Sequence, residues 1–148
     1  MDLLEVQTGF VANVNVFPGF VLGAWDTVLA QQGSAGALVP TGVQVVATGL
    51  YEVSFNILVT SNPPPNNSTR VVVRATLAVN GATAGLPTSV VYIRNFQNNS
   101  RGSLLLPRYT LPLSGGDIVG VFCEREGTQT LPAFIVDNDG YLNVRRVA

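Results

Sequence analysis

Two acidic residues near the C-terminus form the part of the sequence best suited to hold a metal ion. Asp137 and Asp139 flank Asn138 and precede Gly140, so two carboxylates and a carbonyl oxygen can face one cation. Calcium takes about six to eight oxygen ligands, and only two carboxylates are present here. The alternative is a tight turn in which Asp and Asn side chains cap their own backbone. We predict no cofactor, with calcium at Asp137 and Asp139 as the one candidate.

A second acidic pair, Glu124 and Glu126, lies on one face of a predicted strand, with the residues roughly 7 Å apart by strand rise. Glycosidases use two carboxyl groups at comparable separations. Arg125 between the two and Gly127 after them are typical of an exposed hairpin end instead. The chain has no histidine, and its one cysteine, Cys123, sits in an apolar strand and is predicted to be a buried core residue. His-based triads, His/Cys zinc sites and intrachain disulfides are thereby excluded, and we predict that the protein is not an enzyme.

The composition restricts the partners of the chain. Its 148 residues suit one domain, 47% of them are hydrophobic, and 11% are charged against a norm of roughly 25%. All eight basic residues are arginines and the net charge is -1, so the surface cannot neutralise many phosphates. We predict no nucleic-acid partner.

The hydrophobic residues indicate self-association rather than a membrane. No apolar run approaches the roughly 20 residues of a membrane-spanning helix. The start of the chain, residues 1–5, lacks the basic segment of a signal peptide, so we expect synthesis in a cytoplasm. A small monomer keeps exposed apolar patches small, and a chain this apolar and this weakly charged is therefore predicted to be a homo-oligomer.

Apolar residues recur with period two, the pattern of β-strands. Residues 49–60 and 70–79 alternate most clearly, and Asn80-Gly81 then gives a strong hairpin signal. Residues 22–32 are the only helix candidate, and Trp25, Thr27 and Val28 favour a strand there. Further strands are predicted at residues 43–47, 89–96, 103–113, 118–124, 133–136 and 141–147. The fold class is therefore all-β, a two-sheet sandwich or jelly roll of about eight to ten strands.

Two of these strands predict where the subunits meet. Residues 118–123 are apolar on both faces, and the last strand is apolar on both faces to a lesser degree. A strand buried on both faces of a two-layer fold needs a second cover, and the plausible cover in a chain without helices is another subunit. The residues expected at this interface are Val119, Val121, Leu142 and Val144.

Residues 1–19 form a separate segment ahead of a single domain at residues 20–148. Valines alternate with asparagines there, and Pro18-Gly19 follows. The segment is either the first strand of the sandwich or an extended arm that adds a strand to a neighbouring protein. In the second case Val11, Val14 and Val16 contact the partner.

Six segments in this order resemble the C1q/TNF-like superfamily. The superfamily carries a G-x-Y-x-x-S-F strand, an L-x-V-N-G hairpin, an L-x-L-x-x-G-D-x-V turn and a closing S-Y-L-S-V strand. These four motifs correspond here to residues 49–55, 75–81, 109–119 and 140–144, and residues 25–29 and 41–45 precede them in the order that the superfamily shows. The resemblance implies a jelly roll of about ten strands in two sheets, assembled as a homotrimer with one sheet of each subunit facing the threefold axis. Some C1q-like trimers also bind calcium near their apex.

The chain departs from the animal and spore-surface members, which have signal peptides or collagen-like stalks, and looks more like jelly-roll modules of bacteriophage particles. We therefore predict a virion structural protein, a trimeric capsid decoration, cement or head-fibre protein on the virion surface, with capsid or other virion proteins as partners. The alternative is a receptor- or glycan-binding head module of a phage fibre. A secreted C1q/TNF-like signalling ligand is a third reading, which the missing signal peptide and disulfides oppose.

Overall fold

The computed structural model describes residues 2–8, 11–14, 19–23, 25–62, 69–95, 101–125, 133–137 and 139–148. These residues form thirteen strands, and none of them forms a helix that is long and apolar enough to cross a membrane. The strands are β1 (Asp2–Thr8), β2 (Val11–Val14), β3 (Phe20–Val21), β4 (Trp25–Gln32), β5 (Gly36–Val39), β6 (Gly42–Val45), β7 (Gly49–Asn62), β8 (Thr69–Val79), β9 (Thr88–Asn95), β10 (Arg101–Leu113), β11 (Ile118–Arg125), β12 (Ala133–Val136) and β13 (Tyr141–Arg146).

The strands pack as two antiparallel sheets. Sheet A runs β10-β7-β13-β1-β4. Strand β12 pairs with the C-terminal part of β7, on the same side as β13, and β2 pairs with β12. Sheet B runs β5-β6-β11-β8-β9, and β3 pairs with the far end of β11. The all-β prediction and the two-sheet architecture are confirmed, and residues 25–32 form a strand rather than a helix.

The core lies between the sheets, where the period-two pattern predicts it. On β7 the inward residues have no exposed surface, whereas the alternating Glu52, Ser54 and Asn56 point outward and are half-buried. The inward residues of β7 are Tyr51, Val53, Phe55, Ile57 and Val59. Each strand thus buries one face against the other sheet, which supplies the largest favourable contribution to folding.

The described part of residues 1–19 forms strands β1 and β2, which pair with other strands of the same chain. Strand β1 pairs with β13 on one side and with β4 on the other, so its backbone has no free edge to offer. Leu4 and Val6 are buried in the core. In β2, Val11 pairs with Val136 and Val14 pairs with Phe134 of the same chain, and Val16 lies outside the described residues. The strand alternative agrees with these pairings.

The prediction of which residues form the trimer interface is wrong. Val119 and Val121 on β11, and Leu142 and Val144 on β13, have 0% exposure within the single chain. All four point into the sandwich, where the opposite sheet covers them, so no surface is left for a second subunit. On β13 the outward positions are Tyr141, Asn143 and Arg145, and all three are half-buried.

The second apolar face of β11 is covered by the chain itself. Phe122 points outward, and β3 pairs beside it, with Val21 opposite Phe122. A Cβ atom on Gly19, which has a φ of +106°, would lie 2.6 Å from Cζ of Phe122, so the glycine backbone rests against the aromatic ring. A two-residue strand and a glycine therefore provide the cover that we had expected from another subunit.

Two turns are joined at the end of the sandwich where β8 and β10 finish. Asn80 and Gly81 both have positive φ, as the Asn-Gly hairpin signal predicts. The Asn80 Nδ2 amide donates to Asp117 Oδ1 at 2.9 Å, and the Ile118 amide donates to Asn80 Oδ1 at 2.8 Å. The Ser114 amide donates to Asp117 Oδ2 at 2.9 Å. One carboxylate thus ties the β10–β11 turn to the β8–β9 hairpin.

We expect this link to make stability depend on pH. The hydrogen bonds from Ser114 and then from Asn80 lower the pKa of Asp117 below its ordinary value of 3.8, against a smaller opposing effect of burial. A lowered pKa stabilises the fold above pH 3.8, and this contribution is lost as the pH falls through the folded-state pKa.

Asp117→Asn retains one acceptor oxygen and is expected to cost about 1 kcal/mol at pH 7. The difference from the parent protein should shrink when urea unfolding is repeated near pH 3. A difference that is equal at both pH values contradicts this role of the carboxylate.

Candidate functional site

The candidate site lies on the outward surface of sheet A, the seven-stranded sheet. We call it the outer face of sheet A, and its residues alternate with the core residues of β1, β7 and β13. They are half-buried because neighbouring strands shield them: Glu5, Gln7, Glu52, Ser54, Asn56, Leu58, Asn143 and Arg145. Four of these eight side chains are uncharged and polar, and such groups are cheaper to take out of water than ions.

The charges at the centre of the outer face are balanced. Glu52 Oε2 lies 2.6 Å from Arg108 Nε, and its Oε1 lies 3.2 Å from Arg145 Nη2. The Glu52 side chain is 19% exposed, whereas that of Arg108 is 70% exposed. Glu5 Oε2 accepts a hydrogen bond of 3.0 Å from Asn143 Nδ2. The charges of these two glutamates and two arginines sum to zero.

An apolar edge borders the outer face. Leu105 on β10 points outward and is 49% exposed. Strand β9 runs beside β10 at the edge of sheet B, and its Val90 and Tyr92 are each 55% exposed. The two strands approach closely because Gly102 has no side chain: a Cβ there would lie 2.6 Å from Cγ2 of Val91. We call Val90, Tyr92 and Leu105 the apolar edge.

A groove of about 390 Å³ opens at the other end of the outer face, near the start of β10. It is lined by Leu58, Arg101, Gly102, Ser103, Asp137 and Asp139. Thr60 Oγ1 donates to Asp137 Oδ2 at 2.8 Å, and Gln7 Nε2 donates to Asp139 Oδ1 at 3.1 Å. The groove therefore combines an apolar floor with hydroxyl, carboxylate and guanidinium groups.

The two aspartates predicted as calcium ligands do meet in this groove. Each already accepts a hydrogen bond through one of its oxygens, and Arg101 brings a positive charge to the same groove. No group of three Asp, Glu, His or Cys side chains suited to a metal occurs among the described residues. Two carboxylates are fewer than the about six to eight oxygens that calcium takes, so calcium at Asp137 and Asp139 stays a prediction that the described residues do not test.

The other candidate reactive groups do not gather into a site within the described part of the chain. Cys123 is fully buried, as predicted, and burial raises the pKa of its thiol to about 12, so it stays protonated and unreactive at neutral pH. Glu124 is half-buried on the outward side of β11, and Glu126 lies outside the described residues.

The sequence analysis missed the apolar edge and the Glu52 ion pairs. The signal for Leu105 was present in the run Leu104-Leu105-Leu106, since strand alternation places the middle residue opposite to its neighbours. The exposure of Tyr92 and Val90 was harder to predict, because β9 is apolar on both faces. The pairing of Glu52 with Arg108 and Arg145 depends on the order of strands in the sheet.

Comparison with solved structures identifies the fold. The globular domain of zebrafish complement 1qA superimposes with a TM-score of 0.58 at 13% identity, covering 99% of this chain and 97% of that one. Two structures of murine APRIL, at pH 8.0 and pH 8.5, give TM-scores of 0.57 and 0.58 at 12% and 14% identity, each covering 99% of this chain and 98% of the other. No family model and no curated protein sequence matches the chain. The chain has the C1q/TNF-like jelly-roll fold, which confirms the predicted fold class.

Proposed function

We propose that the chain is a homotrimeric binding protein, not an enzyme, and that its copies assemble through the outer face of sheet A and the apolar edge. The observation that carries this proposal is the exposure of Leu105 on the outward side of β10 (49%), together with that of Val90 and Tyr92 (55% each) on the neighbouring strand β9. The resemblance of the sequence to C1q/TNF-like proteins implies the same arrangement, with one sheet facing the threefold axis.

A ring of three copies requires two different surfaces on each subunit. In this assembly the apolar edge of one copy packs against the outer face of the next copy. Burying the apolar edge removes apolar area from water, which is worth about 25 cal/mol per Å². When the face is covered, Glu52 keeps its two arginine partners, which limits the cost of taking its charge out of water.

Leu105→Asp tests this assembly directly. We expect the purified variant to run as a single chain, because each of three interfaces then buries a carboxylate without a partner. Val46→Asp is the matched control, since Val46 is 61% exposed and lies outside both surfaces. A Leu105→Asp protein that keeps the mass of the parent assembly contradicts the proposed interface, and near-identical circular dichroism of both variants shows that folding is intact.

Within this class we propose the role expected from the sequence: a bacteriophage virion structural protein that decorates or cements a capsid, or forms a head fibre. The low charge and the absence of lysine support it, together with the resemblance. A trimer presents each weak contact three times, and this multiplication lets a small domain hold a particle surface. Mass spectrometry of purified particles tests the role: the chain should be present in multiples of three copies, and its absence from the particles contradicts it.

A glycan-binding head module of a fibre is the second candidate function, and the groove on sheet A favours it. Carboxylates and a guanidinium can bind sugar hydroxyls above the apolar floor at Leu58. Saturable binding on a glycan array that is lost in Asp139→Ala supports this function. Binding that Asp139→Ala leaves unchanged places any glycan elsewhere.

A further inference from the structure

Asn80 is the one asparagine in the sequence that is followed directly by a glycine. In such a pair the backbone nitrogen of the glycine can attack the side-chain amide carbon, because glycine has no side chain to hinder the approach. Both residues are exposed, and no atom lies within 4 Å of a Cβ added to Gly81. The sequence and the open turn therefore make Asn80 chemically vulnerable to loss of its amide nitrogen.

This reaction, deamidation, proceeds in two steps and consumes only water. The Gly81 nitrogen forms a bond to Asn80 Cγ while the Cγ–Nδ2 bond breaks, and the proton of the Gly81 nitrogen leaves with the Nδ2 group as ammonia. Water then adds to the resulting five-membered imide and opens it, which gives aspartate or isoaspartate at position 80. A neutral amide thereby becomes a carboxylate without any change of oxidation state.

Three hydrogen bonds hold Asn80 against the β10–β11 turn. Its Nδ2 donates to Asp117 Oδ1 at 2.9 Å, the Ile118 amide donates to its Oδ1 at 2.8 Å, and its backbone amide donates to the Ile118 carbonyl oxygen at 2.8 Å. Beside them the backbone amides of Val79 and Ala82 each donate to the carbonyl oxygen of the other, which closes the hairpin. Formation of the imide requires Cγ to rotate and Nδ2 to leave Asp117, so these bonds must open first.

We propose that Asn80 is a deamidation site that Asp117 protects, and that its conversion to a carboxylate separates the two turns irreversibly. An aspartate at position 80 places an oxygen where Nδ2 was, 2.9 Å from Asp117 Oδ1. Two carboxylates at this distance repel each other, and neither can donate a hydrogen bond while both are ionised. The β8–β9 hairpin then loses its link to the β10–β11 turn. This modification involves no contact between copies, so it does not depend on the proposed assembly.

Trypsin provides a specific assay for the modification. Cleavage after Arg74 and Arg94 releases residues 75–94, in which Asn80 is the only residue with an amide side chain. The folded protein and the same protein unfolded in guanidinium chloride are incubated at neutral pH, and mass spectrometry of this peptide measures the deamidated fraction over time. The folded protein is expected to react at least about tenfold more slowly, because several hydrogen bonds must open first. Equal rates overturn the proposal.

Asp117→Ala removes the acceptor of Asn80 Nδ2 and is expected to raise the deamidation rate of the folded protein about threefold to tenfold. Ile57→Val is the matched control, because Ile57 is fully buried in the core and the loss of one methyl group lowers global stability without altering either turn. The control should keep the parent rate. Equal acceleration in both variants assigns the protection to global stability and overturns the role of Asp117, as does a parent rate in Asp117→Ala.

Asn80→Asp reproduces the product and tests its consequence even if Asp117→Ala does not fold. Hydrogen exchange of the Ile118 amide is expected to become at least about threefold faster at neutral pH, because the acceptor of this amide moves away with the hairpin. An Ile118 amide that exchanges as slowly as in the parent overturns the proposed separation of the turns.

Discussion

A chain that lacks residues 1–8 is expected to remain unfolded. Strand β1 lies inside sheet A between β13 and β4, so its loss strips both neighbours of their backbone partners. The deletion also removes the buried Leu4 and Val6 side chains, each worth about 2 kcal/mol or more in a core. These losses approach or exceed the about 5–15 kcal/mol by which small domains are stable. Circular dichroism and urea titration measure the outcome.

The point variants of β1 separate packing from chain length. Leu4→Ala is expected to destabilise by about 2–5 kcal/mol, because the side chain is buried against the core. Gln7→Ala is the matched control on the same strand: Gln7 is outward and loses one exposed hydrogen bond to Asp139, so the effect should stay below about 1 kcal/mol. A truncated chain that folds with native stability restores the arm interpretation of this segment.

Gly42→Ala is expected to destabilise the fold by more than about 4 kcal/mol, at the upper limit for single substitutions. The Cβ of an alanine would lie 1.9 Å from the Val119 carbonyl oxygen, and the φ of +141° disfavours any side chain there. The contact cannot relax easily because the backbones are also close at the neighbouring position: a Cβ on Gly120 would lie 2.4 Å from the Thr41 carbonyl oxygen. Strands β6 and β11 thus meet backbone to backbone.

Alanine substitutions at two other glycines provide the controls. Urea titration measures the free energy of unfolding of all three variants. Gly81 has a φ of +79° with no atom within 4 Å of an added Cβ, so Gly81→Ala reports the cost of backbone strain alone, about 1 kcal/mol. Gly23 has neither restriction, and Gly23→Ala should be close to neutral. If Gly42→Ala costs no more than Gly81→Ala, the close approach of the two strands is not what requires glycine at position 42.

The sequence predicts the fold of this chain better than its surfaces. Alternation on β7 and the Asn80-Gly81 turn are local patterns, and local patterns specify strands and hairpins. The same patterns cannot say what covers a strand that is apolar on both faces. At Phe122 the cover is Gly19 and Val21, roughly a hundred residues earlier in the chain, and a second subunit was the wrong expectation.

The candidate site was only partly predictable for the same reason. The sequence placed Asp137 and Asp139 in one turn, and the structure brings both to one groove. Arg101 and Leu58 reach that groove only because β10 and β12 flank opposite sides of β7. Likewise, Glu52 is neutralised by Arg145 only because the last strand pairs with β7, which brings the two residues together although they are 93 positions apart in the sequence.

The mass of the purified protein in solution tests the central claim most directly. The account predicts an assembly of three chains of 15.6 kDa each, with Leu105→Asp reduced to fewer chains. Chelator should leave the assembly unchanged, because its proposed contacts contain no metal. A parent protein that stays a single chain at every concentration contradicts the account.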